Sequence, residues 1–222
     1  RGREVVKTTV VAQGMEHPNG IRIRGDHLYV TQSMLSRVKD ASGLLMSCVY
    51  RFKLNDEGIA VANTLADPNI LTTFITHKPD CQYGADGIEF DRQGNLYVGN
   101  FGDGAVYRIT FNPDGSVREN QCWAADPEQL QTTDGMIIDD AGNLYVADFS
   151  ANAIAVISPQ GKVTRIAQSP DTDGFNGELD QPGEPIVWQG KLVVSCFDLV
   201  TGPDKVNTRH EVPATLSQLE LV

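Results

Sequence analysis

Residues 85–101, ADGIEFDRQGNLYVGNF, return 48 positions later as residues 133–149, TDGMIIDDAGNLYVADF. Each copy opens on an acidic residue and glycine (Asp86-Gly87, Asp134-Gly135) and runs through a short apolar stretch. It then turns at a Gly-Asn pair and continues as Leu-Tyr-Val. Glycine at the turn supplies the positive φ that a tight hairpin needs. The stretch GAVYRITF (104–111) alternates on a two-residue period and reads as a third strand. NPDG (112–115) is a turn, and SVRENQ (116–121) is an outer strand. SPQG (158–161) and KVTRIAQ (162–168) repeat that ending. Four antiparallel strands per unit make a propeller blade.

Two looser copies flank this pair. NGIRI (19–23) precedes GDHLYV (25–30), and GEPIVW (183–188) precedes GKLVVS (190–195). The anchors Asn19, Asp86, Asp134 and Glu184 are therefore about 67, 48 and 50 residues apart. A recurring unit of roughly 40–50 residues with several strands is the mark of a propeller. The expectation is one all-β propeller over residues 1–222, built of four-stranded antiparallel blades. Residues 33–47 and 66–79 read as loop insertions. The opening EVVKTTVVAQG (4–14) reads as an outer strand, and TLSQLELV (215–222) closes the last unit. The resulting sixteen strands allow a four-bladed ring whose first strand completes the last blade. They equally allow the last four blades of a larger ring.

Composition narrows the function. Eighteen basic against 29 acidic residues give a net charge of −11, which repels nucleic-acid phosphates. No apolar run approaches the roughly 20 residues of a membrane-spanning helix. The expected partners are cations and small neutral molecules, without nucleic acid or membrane. There is no GxSxG, P-loop, GxGxxG or HExxH. The four cysteines form no CxxC; Cys81 and Cys122 are the pair to test for a disulfide, with four ordinary thiols as the alternative. Arg1 in place of Met reads as a chain processed, trimmed or cut out of something longer, and with the even cysteine count it leans towards a periplasmic or secreted protein.

The stretch Thr133–Phe149, with HPNGI (17–21) and Ala85–Phe101, resembles the senescence-marker-protein / gluconolactonase / luciferin-regenerating-enzyme-like family. The resemblance covers about four blades and implies a six-bladed propeller, a divalent metal (usually calcium) on the central axis, and hydrolysis of lactones or organophosphate esters. Similar phrases occur in NHL-type propellers, which leaves a non-catalytic binding scaffold as the alternative. By motif, Asp134 matches the family's Asp ligand, which also acts on the substrate. Asp86 stands where the family carries an Asn ligand, and Asn19 stands one blade earlier. The family's first-blade Glu has no counterpart upstream, and Glu184 could supply one from the last blade.

Blade-start oxygens converging on one axis suit a hard cation such as Ca2+. The implied metal ligands are thus Asn19, Asp86, Asp134 and Glu184, with Asp134 as general base. Asn19, Asp86 and Asp134 each also read as a turn residue before glycine. Asn100 and Asp148 end corresponding second strands, and His17 precedes Asn19 as a proton carrier; these three are the candidate substrate-binding residues. Bulge, turn or surface roles stand beside that reading. Trp123, Trp188, Phe101 and Phe149 read as core or blade-interface aromatics. Residues 170–180, PDTDGFNGELD, read as a loop at the mouth or surface.

Overall fold

A computed structural model describes residues 4–198, 206–210 and 212–221. Apart from a 3-10 turn at Phe149–Ala151, its regular structure is all strand. In chain order the strands are β1 (Ala12–Gln13), β2 (Pro18–Arg24), β3 (His27–Lys39), β4 (Leu45–Lys53), β5 (Ile59–Ala60), β6 (Ile70–Ile75), β7 (Ala85–Phe90), β8 (Leu96–Asn100) and β9 (Ala105–Phe111). They continue as β10 (Val117–Ala125), β11 (Met136–Ile138), β12 (Leu144–Asp148), β13 (Ala153–Ile157), β14 (Val163–Gln168), β15 (Pro182–Trp188), β16 (Lys191–Cys196) and β17 (Thr215–Glu220).

Four antiparallel sheets form the blades: β2-β3-β4-β6, β7-β8-β9-β10, β11-β12-β13-β14 and β15-β16-β17. The fourth shows three strands among the described residues. The opening segment does not complete it: β1 pairs in parallel with β5, beside the first blade. Residues 33–47 are not a loop, because β3 and β4 pair there as a lengthened hairpin out to Lys39 and Leu45. Residues 66–79 hold β6, the outer strand of blade one. In both places polar residues interrupt the alternation, and edge pairing overrides the local signal.

The Leu-Tyr-Val phrase explains how the blades stack. Successive side chains on a strand point to opposite faces. Leu96 and Val98 pack backwards onto Tyr29, Val49 and Phe74 of blade one. Tyr97 points the other way, onto Met136, Leu144 and Val146 of blade three. Tyr145 likewise meets Leu192 and Val194 of blade four. Both faces of a middle blade are buried, so its strands are apolar at consecutive positions. On blade one the backward face is covered by Val11, Ala12, Met15 and Ile59.

The repeated turn is a second shared device. Asp91 Oδ1 accepts the Asn95 N–H at 2.8 Å, and its Oδ2 accepts from Asn95 Nδ2 and from the Tyr97 hydroxyl. Asp139, Asn143 and Tyr145 repeat all three bonds. These aspartates therefore hold hairpins.

Packing runs in series: β7 against β2 and β3, β11 against β7, and β15 against β11 and β12. No comparable strand packing joins the last blade to the first among the described residues. The outer faces of the series leave Ile21, Ile23, Ile186 and Trp188 exposed, each more than half. Trp188 is thus a surface residue, whereas Trp123 packs on the blade two–three core as expected. All four cysteines are free thiols, so Cys81 and Cys122 are not bonded.

Candidate functional site

Each inner strand enters at the axis through the same irregularity. Asn19 and Gly20 lie opposite the single residue Thr31, and Asp86 and Gly87 lie opposite Gly99. Asp134 and Gly135 straddle Ala147, whose carbonyl accepts the Asp134 N–H and whose N–H donates to Gly135. Two residues facing one is a β-bulge, which bends the strand and re-aims a side chain.

The bulge explains the glycine. A Cβ on Gly20 would lie 2.7 Å from the Asp86 carbonyl oxygen, and one on Gly87 would lie 2.2 Å from that of Asp134. A Cβ on Gly135 would lie 2.6 Å from the Gly183 carbonyl oxygen and 1.9 Å from Glu184 Oε2. In every unit, glycine leaves room for the acidic position of the next blade.

Blade four departs from the motif by one residue. Pro182 pairs with Cys196 and Pro185 with Val194, so Gly183 and Glu184 oppose Ser195. Gly183 therefore holds the Asp86/Asp134 position and Glu184 holds the glycine position. Among the described residues no further blade packs against it, so the glycine place can carry a long side chain.

The structure brings Asp86, Asp134 and Glu184 into electrostatic contact. Asp86 is 5% exposed, and its Oδ1 is buried without a hydrogen-bond partner. Burial, then the charges of Asp134 and Glu184, push its carboxyl well above the usual carboxylate range. Burial and Glu184 push Asp134 up to about 7, against a smaller opposing hydrogen bond from the Gly135 backbone. Glu184 is also raised by burial, with Arg22 opposing.

Arg22, unremarked in the sequence, crosses the axis just below this group. Its Nε donates to Glu89 Oε2 at 3.1 Å, and its Nη2 to Glu184 Oε1 and the Met136 carbonyl, both at 3.3 Å. One guanidinium thus ties inner strands of all four blades. Arginine suits this because its planar fork carries five donors and a fixed charge.

The other expected residues are placed differently. The Asn19 side chain lies at the exposed start of β2. The His17 ring meets Tyr83 edge-on, with centroids 6.5 Å apart. Asn100 is buried; its Oδ1 accepts from the Thr76 hydroxyl and its Nδ2 donates to the Ile75 carbonyl. Asp148 is fully buried and accepts from the Gln131 and Thr132 backbone N–H groups and the Thr132 hydroxyl. Both side chains are spent on holding blade edges, because a buried polar group requires partners.

Among the described residues, no three His, Cys, Asp or Glu side chains form a group that could hold a metal ion. Asp86 and Asp134 are the pair that fits a hard cation, since both are buried carboxylates, the charge of Asp134 raises Asp86, and one Asp86 oxygen is orphaned. Glu184 is engaged by Arg22.

A stability consequence follows. Asp134 ionises near 3.8 when unfolded and near 7 when folded, so the fold favours its protonated form. The stability this group contributes is full below about pH 4 and is lost as pH rises towards 7. In chelator at pH 7.5, Asp134→Asn is therefore expected to melt higher than the wild type, by roughly 5 °C. The gap should close towards pH 4. A thermal melt series in which the variant melts lower at pH 7.5 would contradict the repulsion described.

A sequence profile of the SMP-30/Gluconolactonase/LRE-like region matches residues 111–174, which include Asp134 but not Asn19, Asp86 or Glu184. No curated protein sequence matches the chain. Among solved structures, a luciferin-regenerating enzyme is similar over 90% of this chain and 59% of its own, with TM-score 0.55 and 15% identity. PQQ-bound aldose sugar dehydrogenase from Streptomyces coelicolor is similar over 93% and 64%, with TM-score 0.53 and 12% identity. A gluconolactonase from Xanthomonas campestris is similar over 80% and 53%, with TM-score 0.50 and 16% identity. The chain spans between 53% and 64% of the length of these structures. At such identities the likeness is one of fold, and one fold hosts many chemistries. The bulged, glycine-stepped blades make this chain a β-propeller, and residues 111–174, mostly its third blade, are similar to the SMP-30/Gluconolactonase/LRE-like region.

Proposed function

We propose that this chain hydrolyses lactones or related esters, with a divalent cation, Ca2+ or another, at the acidic mouth of the blades. The observation that carries the reading is the Asp86 carboxylate, buried beside Asp134 and Glu184 with Oδ1 unpartnered. Buried like charges without a counter-ion are costly, and a cation offsets that cost. Asp86 and Asp134 would hold it, since the Asn19 side chain stands at the exposed start of β2 and Glu184 is engaged by Arg22. When bound, such a cation polarises a carbonyl oxygen and lowers the pKa of water.

The remaining roles fall to the chain itself. Asp134, with a carboxyl near 7, is suited to take a proton from the attacking water, because a general base works best near the ambient pH. Arg22 pairs with the Glu184 carboxylate and opposes the rise that burial imposes on it. Glu89 and Glu184 repel the carboxylate product and favour its departure.

A calorimetric Ca2+ titration after chelator treatment tests this directly. Wild type is expected to bind, and Asp134→Ala to lose at least about tenfold in affinity. Absence of binding in the wild type would overturn the hydrolase reading and leave a non-catalytic binding scaffold.

A further inference from the structure

The second strands of three blades end on a phenylalanine. Phe101 follows Asn100, Phe149 follows Asp148, and Phe197 follows Cys196. The Phe101 N–H donates to Gly84, two residues before Asp86. The Phe197 N–H donates to Gln181, and its ring would lie 2.7 Å from a Cβ on Gly183, beside Glu184. These rings therefore stand at the end of the blades where the carboxylates converge.

Together they form a continuous arc. Centroid separations are 5.2 Å for Phe149–Phe197, 5.8 Å for Phe101–Phe149 and 6.5 Å for Tyr83–Phe101. The His17 ring extends it to blade one. The middle is buried, with Phe149 4% exposed, while Tyr83 and Phe197 are 49% and 40% exposed. Two exposed rings at the mouth of a polar site, Tyr83 and Phe197, joined through Phe101 and the buried Phe149, present an apolar surface to a ligand.

From this we infer that the arc of Tyr83, Phe101, Phe149 and Phe197 receives an aryl or alkyl substituent, so that the site takes hydrophobic lactones or esters in preference to polyhydroxylated sugar lactones. The inference rests on the hydrolase reading. Its physical basis is the difference in what the arc can satisfy. The rings bury apolar surface well, whereas a polyol laid on them loses water without gaining partners. Within the arc, the Tyr83 hydroxyl and the His17 imidazole are the polar groups.

The test separates binding from turnover. Lactams resist hydrolysis, so the lactam analogues of dihydrocoumarin and of glucono-δ-lactone serve as calorimetric probes on the calcium-equilibrated protein. The aryl lactam is expected to bind at least about tenfold more tightly. Tyr83→Ser and Phe197→Ser, both at exposed positions, should abolish that preference and leave polyol binding unchanged, with thermal melts confirming the fold. Equal binding of the two probes, or variants that keep the preference, would overturn the inference. Steady-state hydrolysis of the two lactones is measured in parallel. Aryl binding without hydrolysis of either would sink the hydrolase reading and leave the apolar site standing. Hydrolysis without preference would do the reverse.

Discussion

Replacing Gly87 by Ala is expected to be among the most damaging single-methyl changes in the molecule. Its φ is not in the left-handed region, so the backbone alone would tolerate alanine. What forbids it is the neighbouring blade: the new Cβ would lie 2.2 Å from the Asp134 carbonyl oxygen and 3.2 Å from the Gly135 Cα. Both contacts are backbone, and both belong to a strand pinned to β12 by paired hydrogen bonds. Neither can swing aside as a long side chain would. Overpacking of this kind costs about 3 kcal/mol or more. For a chain of this size that corresponds to a fall in Tm of roughly 10 °C. Gly25→Asn is the control: Gly25 sits at a hairpin tip with φ +60° and open space around it, and Asn tolerates that conformation. Its Tm should stay within about 1 °C of the wild type. If Gly87→Ala melted with the wild type, the blades could not be stacked as closely as described.

The largest functional effect is expected at Asp134. Asp134→Asn keeps the size of the side chain and removes its charge and its basicity. Hydrolysis of a responsive lactone should fall about 100-fold or more in kcat/KM. The same substitution relieves repulsion with Asp86 and Glu184, so lost activity should come with a raised Tm in chelator. That pairing is typical of sites held in an unfavourable state for function. It also distinguishes a functional carboxylate from a structural one, because Asp148→Asn should behave oppositely. Asp148 accepts two backbone N–H groups and a hydroxyl, and Asn can accept through one oxygen only. An Asp134→Asn variant with full activity would remove Asp134 from the reaction.

Much of the fold was legible because its signals are local. The Asp-x-x-Gly-Asn-Leu-Tyr phrase carries a hairpin and the two faces of a strand within a few residues. Its unbroken apolar run, Leu-Tyr-Val, is what a strand buried on both faces carries. Asp86 and Asp134 were legible for the same reason, as the acidic residue before the glycine in each copy. Even so, the bland roles of Asp91 and Asp139 were hidden, because their partners are turn amides and a tyrosine hydroxyl.

Tertiary structure alone decided the rest, since it depends on residues far apart in the chain. The bulge register moved Glu184 one place from its apparent alignment and into the glycine position. Arg22 meets Glu184 across 162 residues of sequence, so no spacing could reveal that it crosses the axis. The three phenylalanines were visible as letters, but their arc of tilted ring contacts exists only because successive second strands end side by side. Asn100 and Asp148 looked like lining residues, yet burial forced them to hydrogen-bond their own framework. The sequence by itself determined the blade and its repeat, because backbone pairing and alternation act over a few residues. The electrostatics of the mouth were decided by the stacking of blades, because charge and desolvation act through space.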